Sequence, residues 1–284
     1  METLRVGGVP EHFNMPWQLL LQSPKLTKKG IKASWQDFKS GTGAMIKALN
    51  ENEIDIAMLL TEGAVKGIDN GGRYKIVSFY VDSPLIWGIH IPATAPYQNM
   101  EEVKGKTYAI SNYGSGSHLM SFVDAQIRGW RTEDLKFNTV STLEGARKAF
   151  RENQAEVFYW EKFTTKKYVD SGEFRRIAEC PTPYACFVIC VTEKALKDKE
   201  KAVYATIKEV FKAGKKLYKN PDRIAIIADH YQLKEKDVED WLSATKWTTK
   251  FNLDKKSLKK AIKTLASLNL IQPDLKYKRL IWKK

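Results

Sequence analysis

The sequence predicts an α/β protein of two lobes, each a mainly parallel sheet flanked by helices, with a helical C-terminal extension. Three observations lead there. The first half alternates short apolar runs with amphipathic stretches, the pattern of strands joined by helical crossovers. One helix–turn–strand unit occurs twice, as KALNENEIDIAMLL from Lys47 and as KAFRENQAEVFYWE from Lys148. After about residue 194 the pattern becomes almost entirely helical.

The elements follow in order. LRVGGV (4–9) reads as a strand and PWQLLLQ (16–22) as a helix, with Pro16 in its first turn, where a missing N–H costs nothing. IKASWQDF (31–38) alternates as a strand, GAMIKALNEN (43–52) is a helix, and IDIAMLL (54–60) is a buried strand. KIVSFYV (75–81), LIWGIHI (85–91) and YACFVICV (184–191) are further strands. NPDRIAIIADHY (220–231) opens with an Asn cap followed by Pro. The repeated unit reads Lys-Ala-apolar-x-Glu-Asn-x-x-acid-aliphatic in both copies, which suggests two lobes built on one plan. Their strand ends, Thr61-Glu62 and Trp160-Glu161, would then face each other where parallel sheets bind ligands.

Two hydroxyl-rich turns precede helices. SNYGSGSHLM (111–120) joins a strand to a helix starting near Ser117, and Ser40-Gly41-Thr42-Gly43 does the same earlier. Free N–H groups and the helix dipole make such turns seats for an anion or polar oxygen, although Ser and Thr also cap helices without any ligand. A phosphate loop is excluded, because no G-x-x-x-x-G-K-[S/T] is present. Two turns, read as equivalent positions of the two lobes, favour a ligand site over capping alone.

Composition narrows the rest. The 284 residues, 43% of them hydrophobic, suffice for one large domain or two lobes. No apolar run approaches the roughly 20 residues of a membrane span. The net charge of +14 lies mostly on Lys-rich helices after residue 194, and no nucleic-acid motif accompanies it, so a solvated basic face is expected. Cys180, Cys186 and Cys190 read as buried free thiols. The four histidines show no metal-ligand spacing, so neither metal nor cofactor is expected. The start, METLRVGGVPEHF, lacks the features of a secretory signal, so a cytoplasmic location is expected, or a periplasmic or extracellular one if a leader was removed.

The segments VGGVPEHFNMPW (6–17), GTGAMIKALNENEIDIAMLLTEG (41–63) and ISNYGSGSHLMSFVDAQIRGW (110–130) resemble the substrate-binding proteins of ABC importers, of the periplasmic-binding-protein type II fold. The subgroup is that of alkanesulfonate, nitrate and thiamine-precursor binders, and a leaderless cytosolic fungal member would fit. The resemblance covers roughly residues 4–215. It implies two lobes joined by two hinge crossings, placed near Trp87–Ile91 and Ala185–Val191. Lobe 1 would comprise residues 1–88 and 190–284, and lobe 2 residues 89–189. Carried over residue by residue, the cleft positions are Glu11, His12, Phe13 and Asn14; Ser40, Gly41 and Thr42; Thr61 and Glu62; Tyr113, Gly114, Ser115, Gly116 and Ser117; and Trp160 and Glu161.

The resemblance implies a solute-binding protein, without chemistry, that closes on a polar or anionic, partly aromatic ligand covered by Phe13, Tyr113 and Trp160. No nucleic acid, no membrane insertion and a monomer are expected, and the missing leader puts a permease partner in doubt. Glu11, Glu62 and Glu161 near the cleft argue against a purely anionic ligand and would suit an amine or ring nitrogen as well, so an aminopyrimidine-like heterocycle is as plausible as a sulfonate. The alternative is an enzyme similar to the fungal thiamine pyrimidine-precursor synthases, with acid–base chemistry from Glu11, His12 and Glu62. The cysteine-rich CCCFC segment of those enzymes is not present; Cys186-Phe187-Val188-Ile189-Cys190 stands there instead.

Overall fold

The computed structural model describes residues 1–282 and contains two five-stranded sheets. The first has the order β2-β1-β3-β10-β4, built from β1 (Glu2–Gly8), β2 (Ile31–Asp37), β3 (Ile56–Leu60), β4 (Tyr74–Val81) and β10 (Phe187–Thr192). The second has the order β7-β6-β8-β5-β9, built from β5 (Ile86–Pro92), β6 (Thr107–Ile110), β7 (Lys136–Thr139), β8 (Val157–Glu161) and β9 (Phe174–Pro181). In each sheet the first three strands are parallel, and one strand, β10 or β5, runs against its neighbours. Strands β3 and β10 are buried along their whole length, as the unbroken apolar runs IAMLL and FVICVT require of strands covered on both faces. Edge strands β2 and β7 carry most of the exposed positions.

The helices between strands are α1 (Met15–Leu21), α2 (Thr42–Asn50), α3 (Thr61–Asp69), α4 (Gly116–Ile127), α5 (Leu143–Arg151) and α6 (Lys166–Asp170). The C-terminal part adds α7 (Glu193–Asp198), α8 (Glu200–Lys219), α9 (Arg223–Tyr231), α10 (Glu235–Ala244), α11 (Lys255–Ser267) and α12 (Tyr277–Leu280). Helix α8 packs on α1 and α11 packs on α3, so this extension covers the first sheet. Its lysines at 201, 208, 212, 215, 216 and 219 stay exposed while Val203, Ile207, Val210 and Leu217 are buried. No helix of the described residues is long and apolar enough to cross a membrane. The three cysteines are free and buried.

The repeated unit folds the same way twice. Asn52 and Asn153 both take the left-handed conformation, each with φ of 56°, directly after α2 and α5. The acid that follows does the same work in both copies. Asp55 accepts the backbone N–H of Arg5 in β1 at 2.8 Å, and Glu156 accepts that of Thr107 in β6 at 2.8 Å. Val6–Ile56 and Tyr108–Val157 are the corresponding strand pairs.

The crossings fall a few residues before the expected places. Residues 82–85 lead from β4 into β5 of the second sheet, and residues 182–186 lead from β9 into β10 of the first. Trp87–Ile91 and Phe187–Val191 are instead whole ladder segments of one sheet. The apolar runs gave no sign of a break; the breaks lie at Pro84 and Pro183, where no N–H is available for a ladder. The crossings are bonded to each other, with Thr182 N donating to Leu85 O at 2.9 Å and Cys186 N to Ser83 O at 3.0 Å. We propose lobe boundaries that follow the sheets, at residues 82–85 and 182–186, in place of the expected 88/89 and 189/190.

Candidate functional site

A narrow cavity lies between the two sheets, with room for the centres of water-sized molecules of about 50 Å3. The first sheet contributes Val9 and Glu11 after β1, the Ser40-Gly41-Thr42 turn, Leu60 at the end of β3 and Phe187 at the start of β10. The second contributes Leu85 and Trp87, the turn residues Ser111 and Ser115–Ser117, and Trp160 and Glu161 at the end of β8. The two lobes therefore stand nearly closed, and anything larger than a few heavy atoms must enter with them apart.

The two hydroxyl turns meet here, but not as equivalents. Ser40–Thr42 follows β2 and opens α2; the Ser115 turn follows β6, the counterpart of β1, and opens α4. The true counterpart of Ser40–Gly41 is Ser141–Thr142, ahead of α5. Sequence alone shows two similar turns but not the strand order that pairs them. Gly41 needs to be glycine, since its φ of 74° with ψ of −156° is open to little else. Several hydroxyls are already committed. Thr42 Oγ1 accepts Leu60 N at 3.2 Å, Ser117 Oγ accepts Ser111 N at 3.0 Å, and Ser115 caps α4.

Other expected residues lie outside the cavity. Thr61 and Glu62 begin α3 directly after β3, with no loop to carry them into the cleft. Thr61 Oγ1 instead donates to Ala185 O in the second crossing at 2.6 Å. Glu62 is buried near Tyr184, and burial pushes its carboxyl up to about 7. Phe13 packs on Phe187 and Trp241, and its carbonyl takes bonds from Tyr80 and Trp247, so it belongs to the core. Asn14 braces its loop through Val9 O at 2.8 Å. Tyr113 is 70% exposed beside His118, and Gly114 N donates to His118 Nδ1 at 3.0 Å. Neither Phe13 nor Tyr113 therefore covers the cavity; Trp160 and Trp87 do. Val9, Leu60, Leu85, Trp87 and Phe187 were not anticipated, because an apolar residue near a strand end looks like any other core residue in sequence; Ser111, just past β6, was not anticipated either.

The electrostatics are dominated by carboxyls. Burial, with the charge of Glu161 added, pushes Glu11 up to about 8, while the nearby Trp160 indole opposes the shift. Burial pushes Glu161 up to about 7, although Phe163 N, Thr164 N and Thr164 Oγ1 all donate to its Oε2, at 3.0, 2.6 and 2.8 Å. His12 sits against Phe13 and Trp241, with Nε2 4.0 Å from Glu161 Oε2. Burial holds it down at about 3, so it is neutral and does not balance Glu161. The described residues hold no cluster of three His, Cys, Asp or Glu that could bind a metal.

Comparison with known proteins agrees with this architecture. The CA3427 gene product of Candida albicans, described as defining a family with the generic periplasmic binding protein fold, is 26% identical with a TM-score of 0.90 over 99% of this chain and 94% of that one. The chain has the periplasmic-binding-protein fold of type II. Within that fold, residues 87–180 match the family described as Ca3427-like PBP. Two other relatives of the fold are more distant. The alkanesulfonate-binding protein SsuA of Xanthomonas axonopodis pv. citri, bound to MOPS, is 17% identical with a TM-score of 0.82 over 100% of this chain and 99% of that one. The ligand-binding component of an ABC-type import system from Staphylococcus aureus, with zinc bound, is 14% identical with a TM-score of 0.76 over 99% and 97%. No curated protein sequence matches significantly.

Proposed function

We propose that the protein binds a small polar molecule between its lobes and carries out no chemistry on it. The observation that supports this is the cavity itself. It is built from both sheets at the ends of β3, β6 and β8, where parallel strands leave space for ligand, and only the paired crossings at 82–85 and 182–186 join the strands of one sheet to those of the other. Backbone and hydroxyl donors at the α4 and α2 turns would hold the polar part, and Trp87 and Trp160 the apolar part. The structural neighbours that carry ligand-binding names support the same reading. The enzyme alternative is weaker, because His12 and Glu62, two of its three acid–base residues, lie outside the cavity.

The test works without the ligand being identified beforehand. Purified protein is denatured, and the released small molecules are compared by mass spectrometry with those from a Gly116→Asp variant. A Cβ at Gly116 would stand 2.4 Å from Leu60 Cδ1 and 2.7 Å from Trp87 Cη2, and the aspartate adds a carboxylate inside the cavity, so the variant should lose the ligand. A compound released stoichiometrically by the wild type and absent from the variant is the expected result. Identical profiles would place the function elsewhere.

A further inference from the structure

We propose that the cavity is built for a cation: Glu11 of the first lobe and Glu161 of the second hold between them the protonated nitrogen of a small organic ligand that also carries a hydrogen-bond acceptor. This rests on the binding-protein reading above and names its ligand class.

Three independent features carry it. Among the described residues no Lys or Arg lines the cavity, and the charged side chains that do are Glu11 and Glu161. Of the bases beside Glu161, Lys162 pairs with Glu179 at 2.8 Å, and burial holds the His12 imidazole down at about 3. A sulfonate or phosphate would therefore meet no cationic side chain of the lining, only the N–H groups of the α2 and α4 turns, and would meet two carboxyls. A cation would meet the reverse.

The carboxyl of Glu161 is also fixed in place. Its Oε2 collects the three donors of residues 163–164, whereas Oε1 receives no hydrogen bond from the described residues. Those donors stabilise the carboxylate, which is the form a cation requires.

The third feature is independent of the acids. Trp87, 4% exposed and lining the cavity, has a buried indole N–H with no acceptor among the described residues. Buried donors are rarely left unpaired, and the hydroxyl and backbone donors of the α2 and α4 turns, which line the same cavity, likewise call for an acceptor on the ligand. A ligand with an ammonium, amidinium or protonated ring nitrogen at one end and a carbonyl, hydroxyl or acid oxygen at the other meets both demands.

The arrangement also explains closure. Glu11 and Glu161 come from different lobes, so two ionised carboxyls push the closed lobes apart, and a cation between them draws the lobes together. The ligand supplies the charge that the closed cavity lacks.

The experiment uses matched probes, ethylammonium chloride and sodium ethanesulfonate, at equal ionic strength and pH 7.5. Each is added to the wild type and to the Glu11→Gln, Glu161→Gln double variant, and melting temperatures are read. Ethylammonium is expected to raise the wild-type melting temperature by several degrees, and to leave that of the double variant unchanged. The double variant is expected to melt no lower than the ligand-free wild type, since an amide replaces a buried acid at equal volume. A shift with ethanesulfonate, an ethylammonium shift of equal size in both proteins, or no ethylammonium shift overturns the cation assignment. The binding-protein reading has its separate test in the Gly116→Asp comparison and would survive any of these.

Discussion

Gly116 at the start of α4 lies against Leu60 at the end of β3, one residue from each sheet, with space for a hydrogen and not for a methyl group. At this point the two lobes leave no room for a larger side chain. Replacement by alanine leaves the backbone unstrained, but its methyl group meets Leu60 across the cleft and the Trp87 ring of its own lobe, and it should hold the lobes apart. Small-angle scattering with saturating ligand should show a wild type that contracts and a Gly116→Ala variant that does not. Adding Leu60→Ala removes the closer of the two obstacles and should restore part of the contraction. Full contraction of the single variant would contradict the role of this contact.

Stability should fall between pH 6.5 and 8. Glu11, Glu161 and Glu62 titrate at about 8, 7 and 7 in the folded protein, all above the usual carboxylate value. The folded state then holds more protons than the unfolded one, and stability declines as pH rises through those values. His12, His90 and His118, held at about 3, 3 and 4, act oppositely, but only below the ordinary histidine value near 6.5. The two sets offset each other from about pH 4.5 to 6.5 and leave the carboxyls alone above it. Urea unfolding should show a loss of a few kcal/mol at most across that window, by about 1.4 kcal/mol per proton and pH unit. Glu11→Gln should flatten much of the slope. A stability that climbs from pH 6.5 to 8 would contradict this account.

Asn52 and Asn153 should respond alike to substitution. Each sits in the left-handed region, where a Cβ other than that of Asn or Asp costs about 1–2 kcal/mol. Asn→Ala at either position should lower unfolding free energy by about that amount, and Asn→Gly should leave it nearly unchanged. Chemical denaturation of the four variants checks the equivalence of the two units. Unequal costs would mean that the repeat is one of sequence only.

The acid after each repeat should separate by its partners. Asp55→Ala leaves Arg5 N without an acceptor and removes the paired bonds from the Arg5 guanidinium at 3.1 Å, so a loss of about 1–3 kcal/mol is expected. Glu156→Ala removes only the bond from Thr107 N and should cost less. Equal losses, measured by urea unfolding, would show the Arg5 pair to contribute nothing.

The sequence by itself determined the two-lobe plan, because that plan is written in local signals. A left-handed asparagine after a helix, an acid and an apolar strand recur in KALNENEIDIAMLL and KAFRENQAEVFYWE, and the pattern is carried within a dozen residues, although the acids find their partners about 50 residues away. The sequence also pointed to the α2 and α4 turns, Trp160 and Glu161, and the family resemblance to Glu11, all of which line the cavity between the sheets. What only the tertiary structure decided is which of these meet. The pairing of β5 with β8 and β10 with β3, the setting of the crossings at Pro84 and Pro183, and the unequal strands behind the two hydroxyl turns are contacts between distant segments. The same strand order turns Thr61 and Glu62 into a helix start and brings Leu60, Trp87 and Phe187 into the cavity. Periodicity reports which face of a segment is buried, and cannot report against what; that is fixed only when non-local pairing assembles the two sheets and sets their strand ends against each other.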